Sequence, residues 1–493
     1  MNNLASNKKI LFWFVPALFI LIIWNLYTLQ YSPVPWIDEV YFASLTKSLV
    51  DGNGLILSIG LDNPVYHYGP VYFVLTALFV KIGGFNLFVF RLVELLFSFL
   101  TVFLVFKIMR QRRIRVTVML TMIILLVTDS LFVYCSHIGR MELVSSFFVL
   151  FSFFISDKYK ADQKLLYIIY ISAFLLLSFL TTSRSAVIVI PIGLSVIVHI
   201  IKSHKWWHFL AFVGIPIVGF IFWMFLSFGS LHQMIDYYLD SQTSNEGNFI
   251  ARFVGGSFII SKTHYPLVLL TILIVIHSII KRYFNEISLY FFSILLFYLI
   301  VKSSSDTYSV MILPFYYLII GEGLNEIFIN YKKKDILQIT SLTICGICFI
   351  INIGLFFTKW TLIESSKEAR DERKAYEWIS RSIPKGSVVV GSDVYYYTCI
   401  ENECTFKSLE QIFTTETETL DYILNTIHAD YLLFNSEETI PEALTMCNLI
   451  PKEEVGNYSP ECTNDFLANL LSKIGVTNHS TFKGNLYKII IKK

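Results

Sequence analysis

Charged side chains are scarce in this sequence. Of 493 residues, Lys and Arg contribute 39 and Asp and Glu 37, so only 15% are charged. A soluble domain averages about 25%, which excludes a water-facing globule for most of the chain. The two signs nearly cancel, at a net charge of +2, and so balanced a chain predicts no nucleic-acid partner. No internal repeat or low-complexity tract stands out. What fills the space is apolar: 55% of the residues are hydrophobic, and they cluster. Residues 10–30 contain no charge at all. At 1.5 Å per residue, such a run is long enough to cross the ~30 Å hydrocarbon layer of a bilayer. It is too long for a typical signal-peptide core and no small-x-small cleavage site follows it, so it reads as a first, uncleaved span.

Charge placement then orients the chain. Basic clusters occur at Lys8-Lys9, Lys107 to Arg115, Lys158 to Lys164, Lys202 to Lys205, Lys281-Arg282 and Lys332 to Lys334. All six belong inside by the positive-inside rule. Spans then fall near 10–30, 86–108, 116–134, 142–156, 165–182, 186–201, 208–228, 265–280, 287–302, 308–328 and 336–357. The expectation is an α-helical polytopic membrane bundle of about eleven spans over residues 1–357. Its N-terminus is cytoplasmic and its first external loop covers about 31–85. The apolar stretch from Val71 to Gly84 is shorter than the roughly 17 residues a span needs. Counting it as a span would also turn Lys107 to Arg115 outward. It reads as a helix lying in the outer interface, so the loop holds two juxtamembrane helices, near 38–51 and 70–83.

Beyond Phe357 charges return, and strand-like runs (SVVVGSDV, ADYLLFN, LYKIIIKK) alternate with helical ones (EARDERKAYEWISRSI, LDYILNTIH). Residues 358–493 read as an extracytoplasmic α/β domain. Four cysteines lie in it: Cys399, Cys404, Cys447 and Cys462. An even count in an external domain points to disulfides. Proximity favours Cys399–Cys404 and Cys447–Cys462, with four free thiols as the alternative. Cys135, Cys345 and Cys348, in or beside spans, read as packing residues.

Ionisable groups at a membrane are costly, so their positions are informative. Asp38 and Glu39 open the first juxtamembrane helix. They serve either as helix-capping acids or as a general base or an anchor for a hydroxyl or a metal. His67 and Tyr68, before Pro70, are either a solvated loop or a lining for a polar head group. Arg140 and Glu142 share a tight external turn, where they either pair or act on a ligand. Arg184 stands among hydroxyls in Thr181-Thr182-Ser183-Arg184-Ser185, and Lys302 precedes a serine run, Asp306 and Tyr308. Hydroxyls with a guanidinium make a phosphate cradle; the plainer reading is an Arg snorkelling to the interface. Arg91, inside the second span, has Glu94 at i+3 as its expected partner. Acids, a histidine and cations on one side suit a phosphate-bearing lipid at the outer interface, with chemistry just above it.

The order of these motifs resembles the membrane glycosyltransferases of the GT-C fold. The resemblance is to the family that includes protein O-mannosyltransferases and lipid A aminoarabinose transferases. It is carried by IDEVYFASLTKSLVDGNG with Asp38-Glu39, YHYGPVYFVLTALFVKIGG and FNLFVFRLVELLFSFL. It continues through SHIGRMEL with Glu142, FLTTSRSAVIVIP with Arg184 where Lys is common, and KSSSDTYSVMILPFYYLIIGEG. It covers residues 10–330. Asp306 departs from a usual His or Arg, and Glu142 from a frequent Asp. The resemblance implies inverting transfer of a sugar from a polyprenyl-phosphate carrier to a hydroxyl of a lipid, glycan or protein. It implies Asp38 as base with Glu39 and Glu142 assisting. Arg184, Lys302 and Arg140 would hold the lipid phosphate, and His67, Tyr68 and Tyr308 would line the substrate site. No cofactor is required by this scheme and no metal-ligand set is evident; a divalent cation on Asp38 and Glu142 is the alternative. The rival function is a transporter or lipid flippase, which the outer-end position of the charges disfavours. The expected location is a prokaryotic plasma membrane.

Overall fold

With no water to satisfy the backbone, an apolar run in a bilayer must close its hydrogen bonds within itself, and the result is a helix. The computed structural model describes residues 18–60, 62–66, 68–242, 262–301, 306–330, 335–367, 370–408, 411, 427–435, 471–476 and 484–489. The helices run as α1 (Leu18–Thr28), α2 (Ile37–Val50), α3 (Val71–Gly83), α4 (Leu87–Gln111), α5 (Val116–Thr128) and α6 (Ser130–Cys135). There follow α7 (Glu142–Asp162), α8 (Leu165–Phe179), α9 (Ala186–Lys202), α10 (Trp206–Phe228) and α11 (Leu231–Gln242). Then come α12 (Tyr265–Ile280), α13 (Phe284–Ile300), α14 (Leu313–Ile329), α15 (Ile336–Ser366), α16 (Glu372–Ser382) and α17 (Tyr396–Glu401). Among the described residues each of the eleven expected spans coincides with helix, 116–134 with two of them. Among the described residues, four stretches are by themselves long and apolar enough to cross a membrane: α4, α10, α15 and Ser183–Lys202, which holds α9. The two helices expected in the first loop are α2 and α3. The protein is an integral membrane protein of helical-bundle class with a small C-terminal sheet.

The chain packs as two compact units, each discontinuous in sequence. The first gathers the described residues of 1–24, 66–72 and 94–360. Its core is built around α14, in which every residue from Leu313 to Asn325 is buried. Gly323 lets that helix approach α12, because a Cβ there would stand 2.2 Å from Cγ2 of Ile274. The expected span 116–134 is two helices, and Asp129 is the reason. It caps α6 by accepting the amide hydrogens of Leu131 (3.0 Å) and Phe132 (3.1 Å). It also takes the Tyr317 hydroxyl (2.8 Å) and lies 3.0 Å from Nε2 of His264. The carboxylate is fully buried, and these partners offset its desolvation.

The second unit gathers the described residues of 25–65, 73–93 and 361–493. Its sheet comprises β1 (Val388–Gly391), β2 (Thr405–Ser408), β3 (Tyr431–Asn435), β4 (Leu471–Val476) and β5 (Gly484–Ile489), in the order β2-β1-β3-β5-β4. The first three strands are parallel, and β5 runs antiparallel to both β3 and β4. The three strand-like runs of the sequence supply β1, β3 and β5. The edge strand β2 is covered by the first loop, a usual way to blunt an edge. Ser408 donates its amide hydrogen to the Ile59 carbonyl (2.8 Å), and Lys407 pairs with Asp62 (2.9 Å). The expected disulfide between Cys399 and Cys404 does not form; both are buried free thiols. Cys404 Sγ instead packs on the Pro384 carbonyl and receives a hydrogen bond from the Asn402 amide. Cys447, Cys462 and the helical run LDYILNTIH, except its last two residues, lie outside the described residues.

Candidate active site

In the first unit, three turns meet on one aromatic ring. Tyr308 sits in the 3-10 turn Asp306–Met311 that leads into α14. The Arg184 guanidinium carbon lies 4.0 Å from its ring centroid and that of Arg140 lies 5.1 Å away. Two cations on one ring is a costly arrangement unless negative charge compensates it. The π-face returns only about 0.5–2 kcal/mol per cation.

The two guanidiniums differ in what balances them. Arg140 is buried and bonded to Glu142, with Nη2 donating at 3.0 Å and Nε at 3.2 Å to Oε1. The plain pairing reading of that turn is therefore observed. Arg184, half-buried in the turn that opens α9, makes no ion pair among the described residues. Its charge is available to an anion. Hydroxyls of Thr182 and Ser185 flank it in sequence, and that of Ser185 is buried without a hydrogen-bond partner among the described residues.

Backbone contact brings the Tyr68 segment to the same turn. A Cβ on Gly69 would stand 1.8 Å from the Leu180 carbonyl oxygen, so only glycine fits. The Val71 amide donates to that same carbonyl at 3.2 Å. Tyr68 thus neighbours the start of Thr181–Arg184. His67 and Lys302 lie outside the described residues.

Glu94 is expected from its spacing to pair with Arg91. It does not pair with Arg91. It is fully buried within reach of the Arg140 and Glu142 charges and of the Leu143 backbone. An acid inside an apolar span, near its start, is the available signal; the i+3 spacing to Arg91 points it to the wrong partner.

In the second unit, Glu39 takes Arg91. Nε donates to Oε1 at 2.6 Å and Nη2 to Oε2 at 2.7 Å, while Nη1 donates to the Leu29 carbonyl at 2.9 Å. Both side chains are fully buried. A fork of this kind is the strongest common form of ion pair. It fixes α2 against the start of α4. The helix begins at Ile37 with Trp36 as N-cap and no side-chain cap, so Asp38 is not the capping residue. Asp38 occupies the second helical position, half-buried, and successive residues on a helix point about 100° apart; it does not share Glu39's direction. Among the described residues no three His, Cys, Asp or Glu side chains gather in a metal-binding group.

Residues 62–224 match the family described as dolichyl-phosphate-mannose-protein mannosyltransferase. Among solved structures, ArnT from Cupriavidus metallidurans in the apo state superposes with a TM-score of 0.58 at 9% identity, covering 98% of each chain. The same protein bound to undecaprenyl phosphate gives 0.59 at 10% identity, over 96% of this chain and 97% of that one. The chain has the GT-C fold of membrane glycosyltransferases. Among curated proteins, no sequence matches it.

The second unit of this GT-C protein adds one more perturbed acid. Glu372, at the start of α16, is pushed up to about 8 by burial, with Glu401, Glu39 and Asp371 raising it further against the opposing Arg91. One of its oxygens is buried without a partner among the described residues. A carboxyl raised in the folded state stabilises the fold fully below its unfolded value of 4.5, and that contribution is lost as pH rises through about 8. Thermal stability should therefore decline between about pH 5 and 9, and Glu372→Gln should flatten the decline; an identical profile in the variant would contradict the assignment.

Proposed function

We propose that this glycosyltransferase moves a sugar from a polyprenyl-phosphate carrier to a hydroxyl of a lipid, glycan or protein, with inversion at the anomeric carbon. The observation that carries the proposal is the Tyr308 ring with two guanidiniums on it, one of them without an ion pair among the described residues. A phosphate is the ligand that such a pair of cations calls for, and transfer generates one. The acceptor oxygen forms a bond to the anomeric carbon while the carbon–oxygen bond to the phosphate breaks. The electron pair leaves with the phosphate, whose growing charge Arg184 stabilises. Arg140 is restrained by Glu142, which holds it on the ring. Lys302 is a third cation for the same phosphate. The acceptor proton goes to Asp38. Glu39, engaged with Arg91, orients α2, and His67 and Tyr68 line the substrate. We place the protein in a prokaryotic plasma membrane, with its N-terminus cytoplasmic and its α/β domain outside.

The test is donor binding. Wild type should bind polyprenyl phosphate in detergent. Arg184→Ala should lose about ten-fold or more in affinity, as removal of a charge-assisted contact does. Arg184→Lys should recover part of it, since the charge stays and the fork is lost. Equal affinity in wild type and Arg184→Ala would remove Arg184 from the site and with it the phosphate reading.

A further inference from the structure

A second polar site lies at the other end of the first unit. Helix α7 starts at Glu142 and reaches Lys160 eighteen residues later, about 27 Å at 1.5 Å per residue. That is close to the thickness of a hydrocarbon layer. The Lys160 end is the one that the basic clusters assign to the cytoplasm.

There a cavity of about 450 Å³ opens between α9 and α13, lined at one end by Arg112, Lys160, Asn285, Ser288 and Ser195. At its other end the lining is Pro191, Leu194, Leu289, Phe292, Leu295 and Leu296. The change of character follows α13 itself. Asn285 and Ser288 come first, then Leu289, Phe292, Leu295 and Leu296, spaced along one stripe of a helix. The apolar end is open rather than roofed, since Leu194, Phe292 and Leu295 are exposed. Arg112 is held by two acids, donating to Glu322 at 2.7 Å and to Asp157 at 3.2 Å. Lys160 is half-buried and has no ion pair among the described residues, because Asp157, the acid acting on it, is engaged by Arg112. Lys202 and Lys205 join Lys160 around His199. Among these described residues four cations therefore stand against two carboxylates; Arg112 and Lys160 line the groove itself, and Lys202 and Lys205 stand near Lys160 at its polar end.

We propose that this groove binds one anionic phospholipid, its phosphate at Lys160, Ser195 and Ser288 and its acyl chain along Leu289 to Leu296. A polar pocket grading into an exposed apolar stripe fits a molecule with a charged head and a hydrocarbon tail. Surplus positive charge selects an anionic head over a zwitterionic one. The site is separate from the transfer chemistry, and its test does not use activity.

Delipidated protein in detergent is titrated with phosphatidylglycerol, phosphatidylcholine and glycerol 3-phosphate, and bound molecules are counted by native mass spectrometry. One phosphatidylglycerol should be retained at several-fold lower concentration than phosphatidylcholine, and glycerol 3-phosphate should not be retained. Lys160→Gln should weaken phosphatidylglycerol by about five-fold, the usual weight of one basic residue at an anionic lipid. Ser288→Trp, which fills the head end without changing charge, should weaken it at least as much. Equal retention of the two lipids would overturn the proposal. So would unchanged binding in Lys160→Gln. A loss in Lys160→Gln but not in Ser288→Trp would mean diffuse attraction to a basic surface and would also overturn it.

Discussion

Asp38→Asn should lower turnover by about 10²–10⁴-fold, the usual weight of a general base, while folding and donor binding survive. Magnitudes separate this from the bland role of the residue. Asp38 stands in the first turn of α2, where a carboxylate meets the positive end of the helix dipole. Losing that interaction costs about 0.3–1 kcal/mol. A hundred-fold loss of rate corresponds to about 2.7 kcal/mol, so dipole loss cannot produce it. Capping cannot produce it either, because Trp36 holds the N-cap position and Asn caps nearly as well as Asp. Rate constants on a verified acceptor decide the matter, together with donor affinity measured separately. Near-normal turnover in Asp38→Asn would remove the base and leave the membrane architecture untouched.

Arg91→Ala should be among the most destabilising single changes in the second unit, at about 3–5 kcal/mol. Arg91 and Glu39 are both fully buried and joined through two hydrogen bonds, and a third reaches the Leu29 carbonyl. Removing the cation leaves a buried carboxylate with its compensating charge gone. Glu39→Ala should cost about as much for the mirror reason. The double substitution Glu39→Leu with Arg91→Met should be milder than either single change, because it removes both charges and keeps the volume. Thermal unfolding of the four proteins in one detergent measures this. A double variant as unstable as the sum of the singles would mean that the two side chains act independently.

Much of the fold was legible because the bilayer imposes a coarse rule. A run of about twenty apolar residues must become a helix, and the basic clusters mark its ends. Tertiary partners were not legible. Arg91 had an acid three residues away, a neighbour by helical geometry, yet it bonds to Glu39, 52 positions distant in sequence. An i,i+3 pair on a helix is worth only about 0.2–0.5 kcal/mol, so a buried fork from another segment prevails. Reassigning Arg91 also released Glu94 to the neighbourhood of Arg140. The break at Asp129 was hidden for the same reason. Its cost is met by His264 and Tyr317, which the sequence keeps 135 and 188 residues away. For the site, local turns told which residues are polar at a helix end, and Arg140 with Glu142 could be read from their spacing. The shared Tyr308 ring could not, because it depends on three separate turns.

The central claim is that a glycosidic bond to a lipid phosphate is broken, and product analysis tests it most directly. Purified protein in liposomes is given a polyprenyl-phosphate sugar labelled in the sugar, and the label is followed by thin-layer chromatography of lipid and aqueous phases. Transfer or slow hydrolysis should release the label from the carrier, in wild type but not in Asp38→Asn. Movement of intact labelled lipid between leaflets, with no cleavage by wild type under any acceptor, would contradict the account and favour a flippase.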